Sequence, residues 1–345
     1  MMTLAAFMKR KFGVSVAIPL LISHHMKITD VSNYIRKANG KVVPELAFQV
    51  DLMKEFSLLD AQLQFAQQNH LGVIFLTGAT GFLGTQILRQ LLNHAGVDKV
   101  IVHVRASDSE HGKQKIVSSA KAALWWLDDM SSKLEIWAGD LSQPMLGLNC
   151  QQWLHLRMVD AIIHNGASVN WTADYDTLTT TNVNSTFEIL KAMSGVGPRP
   201  KLVYISGGRS FGESQDDKST ATKLAAVDGY SRTKFVSELL LKHFAQRAVN
   251  SKHPRHISIV KPGLIIGNAR EGVANTGDFL WRHVAGAMRL GAYPKPEKDD
   301  WLVVSSVDII SQAVIDALLR GYNASACNIN IADGVLMTEF WGIVD

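Results

Sequence analysis

Tyr230 and Lys234 stand four residues apart in Tyr230-Ser-Arg-Thr-Lys234. On a helix, that spacing brings a phenol and an ammonium to one face. The ammonium can lower the phenol's pKa. The phenol can then give a proton to a carbonyl oxygen as hydride arrives at the carbon. The spacing alone also fits an exposed helical pair. Its place in the chain argues for chemistry: it starts the helix that follows a predicted strand, Lys201–Ser206, and a glycine loop lies far upstream.

That loop is Gly78-Ala-Thr-Gly81-Phe-Leu-Gly84. It follows a buried apolar run, Val73–Thr77, and opens a helical stretch, Leu83–Leu92. The first glycine permits a tight turn, the second admits a pyrophosphate close to backbone, and the third lets helix and strand pack closely. The free N–H groups and positive dipole end of the helix then face the phosphates. A purely structural turn would not need all three glycines.

The end of the second predicted strand selects the cofactor. A site for NAD usually carries Asp or Glu there, to bind the ribose 2′-hydroxyl. This chain has Val104-Arg105-Ala106. Arg105 can pair with a 2′-phosphate in bidentate fashion, and Lys115 on the next helix can add charge, so NADPH is expected. The competing reading makes both ordinary solvated cations. Asp140, in the turn Gly139-Asp-Leu141, is expected either to accept from an adenine amine or to cap its own turn. Asn165-Gly-Ala167 is a small-residue turn past which a cofactor can run.

These residues need a sheet to position them. Further predicted strands are Lys99–Val104, Leu134–Ala138, Val159–His164, His256–Lys261 and Asn328–Ile331. They alternate with helices at about Lys113–Leu127, Tyr175–Met193, Tyr230–Ala248 and Val307–Leu319. Near-continuous apolar strands alternating with helices imply α/β architecture, a doubly wound parallel sheet of Rossmann type. We expect the dinucleotide domain over 71–265 and a smaller substrate-binding subdomain over 266–345, truncated at its C-terminus. Residues 1–40 and 41–70 read as helical pieces and a helical linker.

Bulk properties exclude other classes. Of 345 residues, 47% are hydrophobic and 19% charged, which suits a compact core rather than disorder. A formal charge of +4 does not suggest nucleic-acid binding. Two distant cysteines, Cys150 and Cys327, with no CxxC and no HExxH, argue against a disulfide framework or a metal centre and for a reducing, cytoplasmic setting. No run approaches the roughly 18 apolar residues of a membrane span. Val14–Ile22 after Lys9-Arg-Lys11 superficially resembles a signal peptide, but Pro19 interrupts it.

The set of motifs resembles the extended short-chain dehydrogenase/reductase family. Within it, the chain is most similar to the thioester reductase domains of nonribosomal peptide synthetases and carboxylic acid reductases. The likeness rests on Val73-Ile-Phe-Leu-Thr-Gly-Ala-Thr-Gly-Phe-Leu-Gly84, Val102-His-Val-Arg-Ala106, Gly139-Asp-Leu141, His164-Asn-Gly-Ala167, Thr181-Asn-Val183, Tyr230-Ser-Arg-Thr-Lys234 and Lys261-Pro-Gly-Leu-Ile265. It covers about residues 71–335. The resemblance implies that Thr80, Phe82, Leu83, Leu141, Asn165, Ala167, Pro262, Gly263 and Ile265 line the cofactor with Gly78, Gly81, Gly84, Tyr230 and Lys234. It implies reductive release of an acyl or peptidyl thioester from an upstream carrier domain, to an aldehyde or on to an alcohol. Residues 1–40 look like the last helices of such a carrier domain, without the serine that bears phosphopantetheine.

One position departs from the family. A Ser or Thr usually follows the serine that ends the fifth strand and bonds the substrate carbonyl. Here that position is Gly207, in Ile205-Ser-Gly-Gly-Arg-Ser-Phe-Gly212. Ser206, Ser210 or a water is expected to substitute. The gap also keeps open a redox-independent, Dieckmann-type cyclising release, or a module that binds NADP without turnover.

Overall fold

The computed structural model describes residues 70–195, 200–207, 217–224, 227–297, 300–320, 326–331 and 333–344, with a few positions before residue 70. The chain divides into two compact units, Met1–Ala66 and Gln67–Asp345. In the first, the described residues 8–11, 29, 32, 33 and 36 are helical. The carrier-like boundary at residue 40 and nearly all of the 41–70 linker lie outside the described residues.

In the second unit, seven parallel strands form the main sheet. They are β1 (Gly72–Thr77), β2 (Val97–Val104), β3 (Leu134–Ala138), β4 (Ala161–His164), β5 (Lys201–Ile205), β6 (Ile257–Pro262) and, after two strands described below, β9 (Cys327–Ile331). Their order is β3-β2-β1-β4-β5-β6-β9. The chain reverses its direction of travel across the sheet between β1 and β4, and ligands of doubly wound sheets bind at that switch point, beyond the C-terminal ends of the strands. The fold is the doubly wound α/β arrangement expected from the alternation of apolar strands and helices.

Strand alternation builds two cores. In β1, Ile74 and Leu76 face one side and Phe75 the other; in β2, Val100 and Val102 oppose Ile101. The first face is covered by α1 (Phe82–Asn93), α2 (Ser109–Ala122) and a later helix, α9 (Val307–Leu319), through Ile87, Leu88, Leu91, Ile116, Ile310 and Val314. The second is covered by α3 (Cys150–Leu156), α5 (Ser185–Met193) and α7 (Gly229–Asn250), through Leu156, Ile189 and Leu241. Each such side chain contributes about 1.5–3 kcal/mol on burial. With both faces covered, the strands read as continuous apolar runs, and the periodicity of the sequence found them for that reason.

Three elements differ from expectation. The helix expected over Lys113–Leu127 runs from Ser109, because Asp108 caps it by accepting from the His111 N–H. It stops before Leu124, whose φ of 59° is left-handed. The helix expected over Tyr175–Met193 is α4 (Tyr175–Thr179) followed by a π-turn, Thr180–Asn184, and then α5. Finally, the segment after residue 265 is not a separate body. Strands β7 (Leu264–Ile265), β8 (Trp301–Ser305) and β10 (Asp333–Leu336) do form a small second sheet. Helices α8 (Phe279–Leu290) and α10 (Met337–Val344) belong with it, joined through the buried Trp341. Yet β9 returns to the main sheet beside β6, and α9 packs on α1, where Gln90 donates to the Ser311 hydroxyl at 2.7 Å. An apolar helix and a strand placed late in the chain complete the first core, so a boundary drawn at 265 cuts through it. The remaining helix, α6 (Asp217–Leu224), lies against α7. No described helix is long and apolar enough to cross a membrane.

Candidate active site

The sequence-predicted residues gather at one edge of the sheet because each follows a parallel strand: the glycine loop follows β1, Arg105 β2, Asp140 β3, Asn165 β4, Gly207 β5 and Gly263 β6. Gly78 has φ +72°, and a Cβ there would stand 2.7 Å from the Gly166 backbone. On Gly84 a Cβ would meet the Gly78 carbonyl oxygen at 2.0 Å. Glycine at both positions is therefore a steric requirement. Gly81 caps α1 without a side-chain hydrogen bond, so the first N–H groups of that helix point into the loop with no side-chain acceptor. Thr80 is exposed, Phe82 half-buried and Leu83 buried. Asn165 donates to the Gly78 carbonyl at 3.1 Å, and Leu141 packs against Gly166 so closely that a Cβ there would meet its Cδ1 at 2.6 Å. Ala167 is half-buried beside them.

Arg105 and Lys115 are both exposed, and the Lys115 ammonium donates to the Arg105 carbonyl at 2.7 Å. Two cations thus stand together at the end of β2. Asp140 forms its own turn, its Oδ1 accepting from the Ser142 N–H and hydroxyl. Partial burial opposes its ionisation, but those two donors, with Arg105 and His103, hold it below the ordinary range. Its second oxygen has no such role in the turn. Pro262 ends β6, Gly263 donates to the Ile331 carbonyl at 3.0 Å, and Ile265 pairs with Ser305, so this segment leads from the main sheet into the small one.

Tyr230 and Lys234 occupy the first two turns of α7, at 9% and 3% exposure. Asp228 caps the helix through the Ser231 N–H and hydroxyl. The Lys234 ammonium donates to the Ile205 carbonyl at 2.7 Å and lies 4.8 Å from the Tyr204 ring and 5.6 Å from the Tyr230 ring. Burial pulls Lys234 down to about 7, against the pull of Glu238. Burial, reinforced by Asp228, pushes the Tyr230 phenol up. The sequence suggested that the ammonium would lower the phenol. Desolvation dominates instead, and Tyr230 is a neutral proton donor over the ordinary pH range.

Ser206 is 3% exposed and its hydroxyl donates to Glu238 Oε1 at 2.5 Å. Side chains two apart on a strand share a face, so Ser206 follows Tyr204 toward α7. Its hydroxyl is therefore turned to Glu238, which is not the substrate-facing placement expected of it. Ser210 lies outside the described residues. Gly207 does face the pair: a Cβ there would lie 3.8 Å from Lys234 Cγ and 3.9 Å from Tyr230 Cε1.

A family model described as male sterility protein matches residues 76–314. The chain belongs to this family. Over 348 residues it is 37% identical to the N-benzoylphenylalaninol synthetase of Penicillium brevicompactum, covering 99% of this chain and only 15% of that relative's length. Among solved structures it is similar to the PhqB reductase domain of Penicillium fellutanum, with 38% identity, TM-score 0.67, and coverage of 85% of this chain and 75% of that one. It is also similar to the terminal R domain of the myxalamid biosynthetic pathway, with 28% identity, TM-score 0.68, and coverage of 84% and 76%. The resemblance read from the motifs is borne out. Fold and family make the chain an NAD(P)-binding oxidoreductase domain.

In this member of the male sterility protein family, three residues beside the candidate site were given no role from the sequence, although one of them, Asn182, lies in the quoted Thr181-Asn-Val183 motif. Trp171 is 51% exposed and stands edge-on to Tyr230 at 5.1 Å, an aromatic wall beside the phenol. Asn170 fixes it, its Oδ1 accepting from the Thr172 N–H and hydroxyl. Asn182, in the π-turn, holds both backbone groups of Ser168 and donates to Thr233 at 3.1 Å, linking the β4 loop to α7. Its place in the Thr181-Asn-Val183 motif was the available signal. Glu238, one turn past Lys234, is the third. His164 bridges Thr77 and Ser185 at 2.9 and 3.1 Å; burial first, then Lys234, lowers it to about 3, so it is a neutral cross-link.

The buried lysine makes stability pH-dependent. Its folded value lies near 7 and its ordinary value is 10.5, so between those limits the unfolded chain binds the extra proton and stability rises with pH. Lys234→Met removes that cost. Thermal melting should show the variant gaining more over wild type at pH 6 than at pH 10. An equal gain at both would mean the ammonium is well solvated.

Proposed function

We propose that this domain is an NADPH-dependent reductase that releases an acyl or peptidyl group from the phosphopantetheine thioester of an upstream carrier domain, as an aldehyde or, after a second round, as an alcohol. The observation that carries the reading is the buried Tyr230–Lys234 pair at the sheet edge that also holds the glycine loop. The relatives named synthetases support a carrier-bound substrate.

The residues fit a phosphorylated dinucleotide. The steric demand for glycine at positions 78 and 84 leaves a cradle for a pyrophosphate against the N-terminus of α1. Arg105 and Lys115 suit a 2′-phosphate, and no carboxylate follows Val104 to repel one. Asp140 would take the adenine amine, and Leu141, Asn165, Ala167, Pro262, Gly263 and Ile265 would line the rest. Bound there, NADPH supplies the hydride. Tyr230 gives its proton to the carbonyl oxygen, turning the thioester into a hemithioacetal. Lys234 would hold the ribose and favour the phenolate left behind. Collapse of the hemithioacetal frees the carrier thiol. With glycine at 207, Tyr230 is the hydroxyl that meets the carbonyl oxygen, and Trp171 covers one side of it. A phenol kept protonated by burial favours this reductive chemistry over cyclising release.

Two measurements test the reading. Tyr230→Phe should lower NADPH oxidation with an acyl-pantetheine thioester by about a hundredfold or more while NADPH still binds; undiminished turnover would remove the mechanism. Arg105→Ala should weaken NADPH binding by about tenfold or more and leave NADH binding unchanged. Equal losses for both would mean that Arg105 does not read the phosphate.

A further inference from the structure

Glu238 lies one helical turn beyond Lys234 and two beyond Tyr230 on α7, so the three share one face. It is 1% exposed. Its Oε1 accepts from the Ser206 hydroxyl at 2.5 Å, just past β5, and its Oε2 lies 2.8 Å from the Lys261 ammonium on β6. Lys261 is itself 7% exposed. A buried ion pair of this kind gives little net stability over an apolar pair of similar volume. Stability therefore does not account for a full ionic cluster at this place.

Its position does. Lys234 fastens α7 to the Ile205 carbonyl, and one turn later Glu238 fastens the same helix to Ser206, the next residue. The two ties hold the end of β5, and with it Gly207, against Tyr230. Lys261 adds β6 to the clamp. Lys234 meets few other charges. His164 of β4 is neutral, and Tyr204 of β5 is held protonated by burial. At the start of α7 are Tyr230, also neutral, and the capping Asp228, whose carboxylate accepts from the Ser231 N–H and hydroxyl. On α5, Glu188 is paired with Lys191 at 2.8 Å; on α6, Asp217 faces His243 at 3.9 Å; Asp174 and Asp176 by α4 are exposed. Glu238 is the carboxylate that favours the Lys234 ammonium.

We propose that Glu238 is a positioning residue of the catalytic pair: clamped between Ser206 and Lys261, it ties α7 to the end of β5 and so holds the Lys234 ammonium on the Ile205 carbonyl. The catalytic consequence rests on the reductase reading above; the effect on Lys234 does not. The serine and the lysine act through Glu238.

The test follows the lysine directly. In the full chain carrying isotope-labelled lysine ε-groups, NMR gives the titration midpoint of Lys234, with Lys234→Met identifying its signal. Glu238→Gln should lower that midpoint by about one pH unit or more. The double variant Glu238→Gln with Lys261→Met removes Glu238 and its ion-pair partner together and should also lower it. The high-pH limb of NADPH-dependent turnover should move down in step. An unchanged Lys234 midpoint in either folded variant would overturn the proposal. A lowered midpoint in a protein whose wild type shows no turnover would uphold the role of Glu238 and remove the reductase reading instead.

Discussion

A lysine ammonium held in a dry place organises this molecule. Lys234 can be buried because the Ile205 carbonyl accepts from it and two tyrosine rings offer it their faces. Those partners come from the last residues of β5 and the first turns of α7, so the contact fixes how strand and helix meet. Burial then acts on both members of the pair, with opposite signs. It weakens the ammonium and strengthens the phenol's hold on its proton. Both charged forms become dearer than in water, and a ligand that stabilises either can move a proton with little rearrangement.

The rest of the fold serves that contact. Parallel strands deliver all their following loops to one edge, which puts a glycine cradle, two cations and the phenol within one crevice even though 152 residues separate Gly78 from Tyr230 in number. Cross-links of neutral polar groups lock the crevice from beneath. His164 ties β1 to α5, and Asn182 ties the β4 loop to α7. Each of these side chains is buried and hydrogen-bonded, and leaving one unpaired costs more than the bond itself is worth. The network therefore favours one arrangement of the loops.

Much of this was legible in the residues alone. Near-continuous apolar runs such as Ile162 and Ile163 in β4, alternating with helical stretches, read as strands covered on both faces, and Gly78, Gly81 and Gly84 announce their loop by spacing. What escaped had physical causes. The face of Ser206 depends on strand register, and its partner Glu238 lies on a helix whose rotation the sequence does not fix. The π-turn at Thr180–Asn184 keeps a helical pattern while shifting phase by one residue, which periodicity cannot detect. The return of α9 and β9 to the main core is a long-range pairing without a local signature. The direction of the Tyr230 shift was missed because the motif shows a neighbouring charge but not the burial that outweighs it.

In the proposed reaction, hydride passes, beside Tyr230, to the carbonyl carbon of a carrier-type thioester. Mass spectrometry of the product formed from an acyl-pantetheine thioester and NADPH deuterated at the transferable position tests this directly. An aldehyde with one deuterium at the former carbonyl carbon, or the alcohol with two, is expected, released with free thiol. A released product without the label, formed with no oxidation of the dinucleotide, would contradict it.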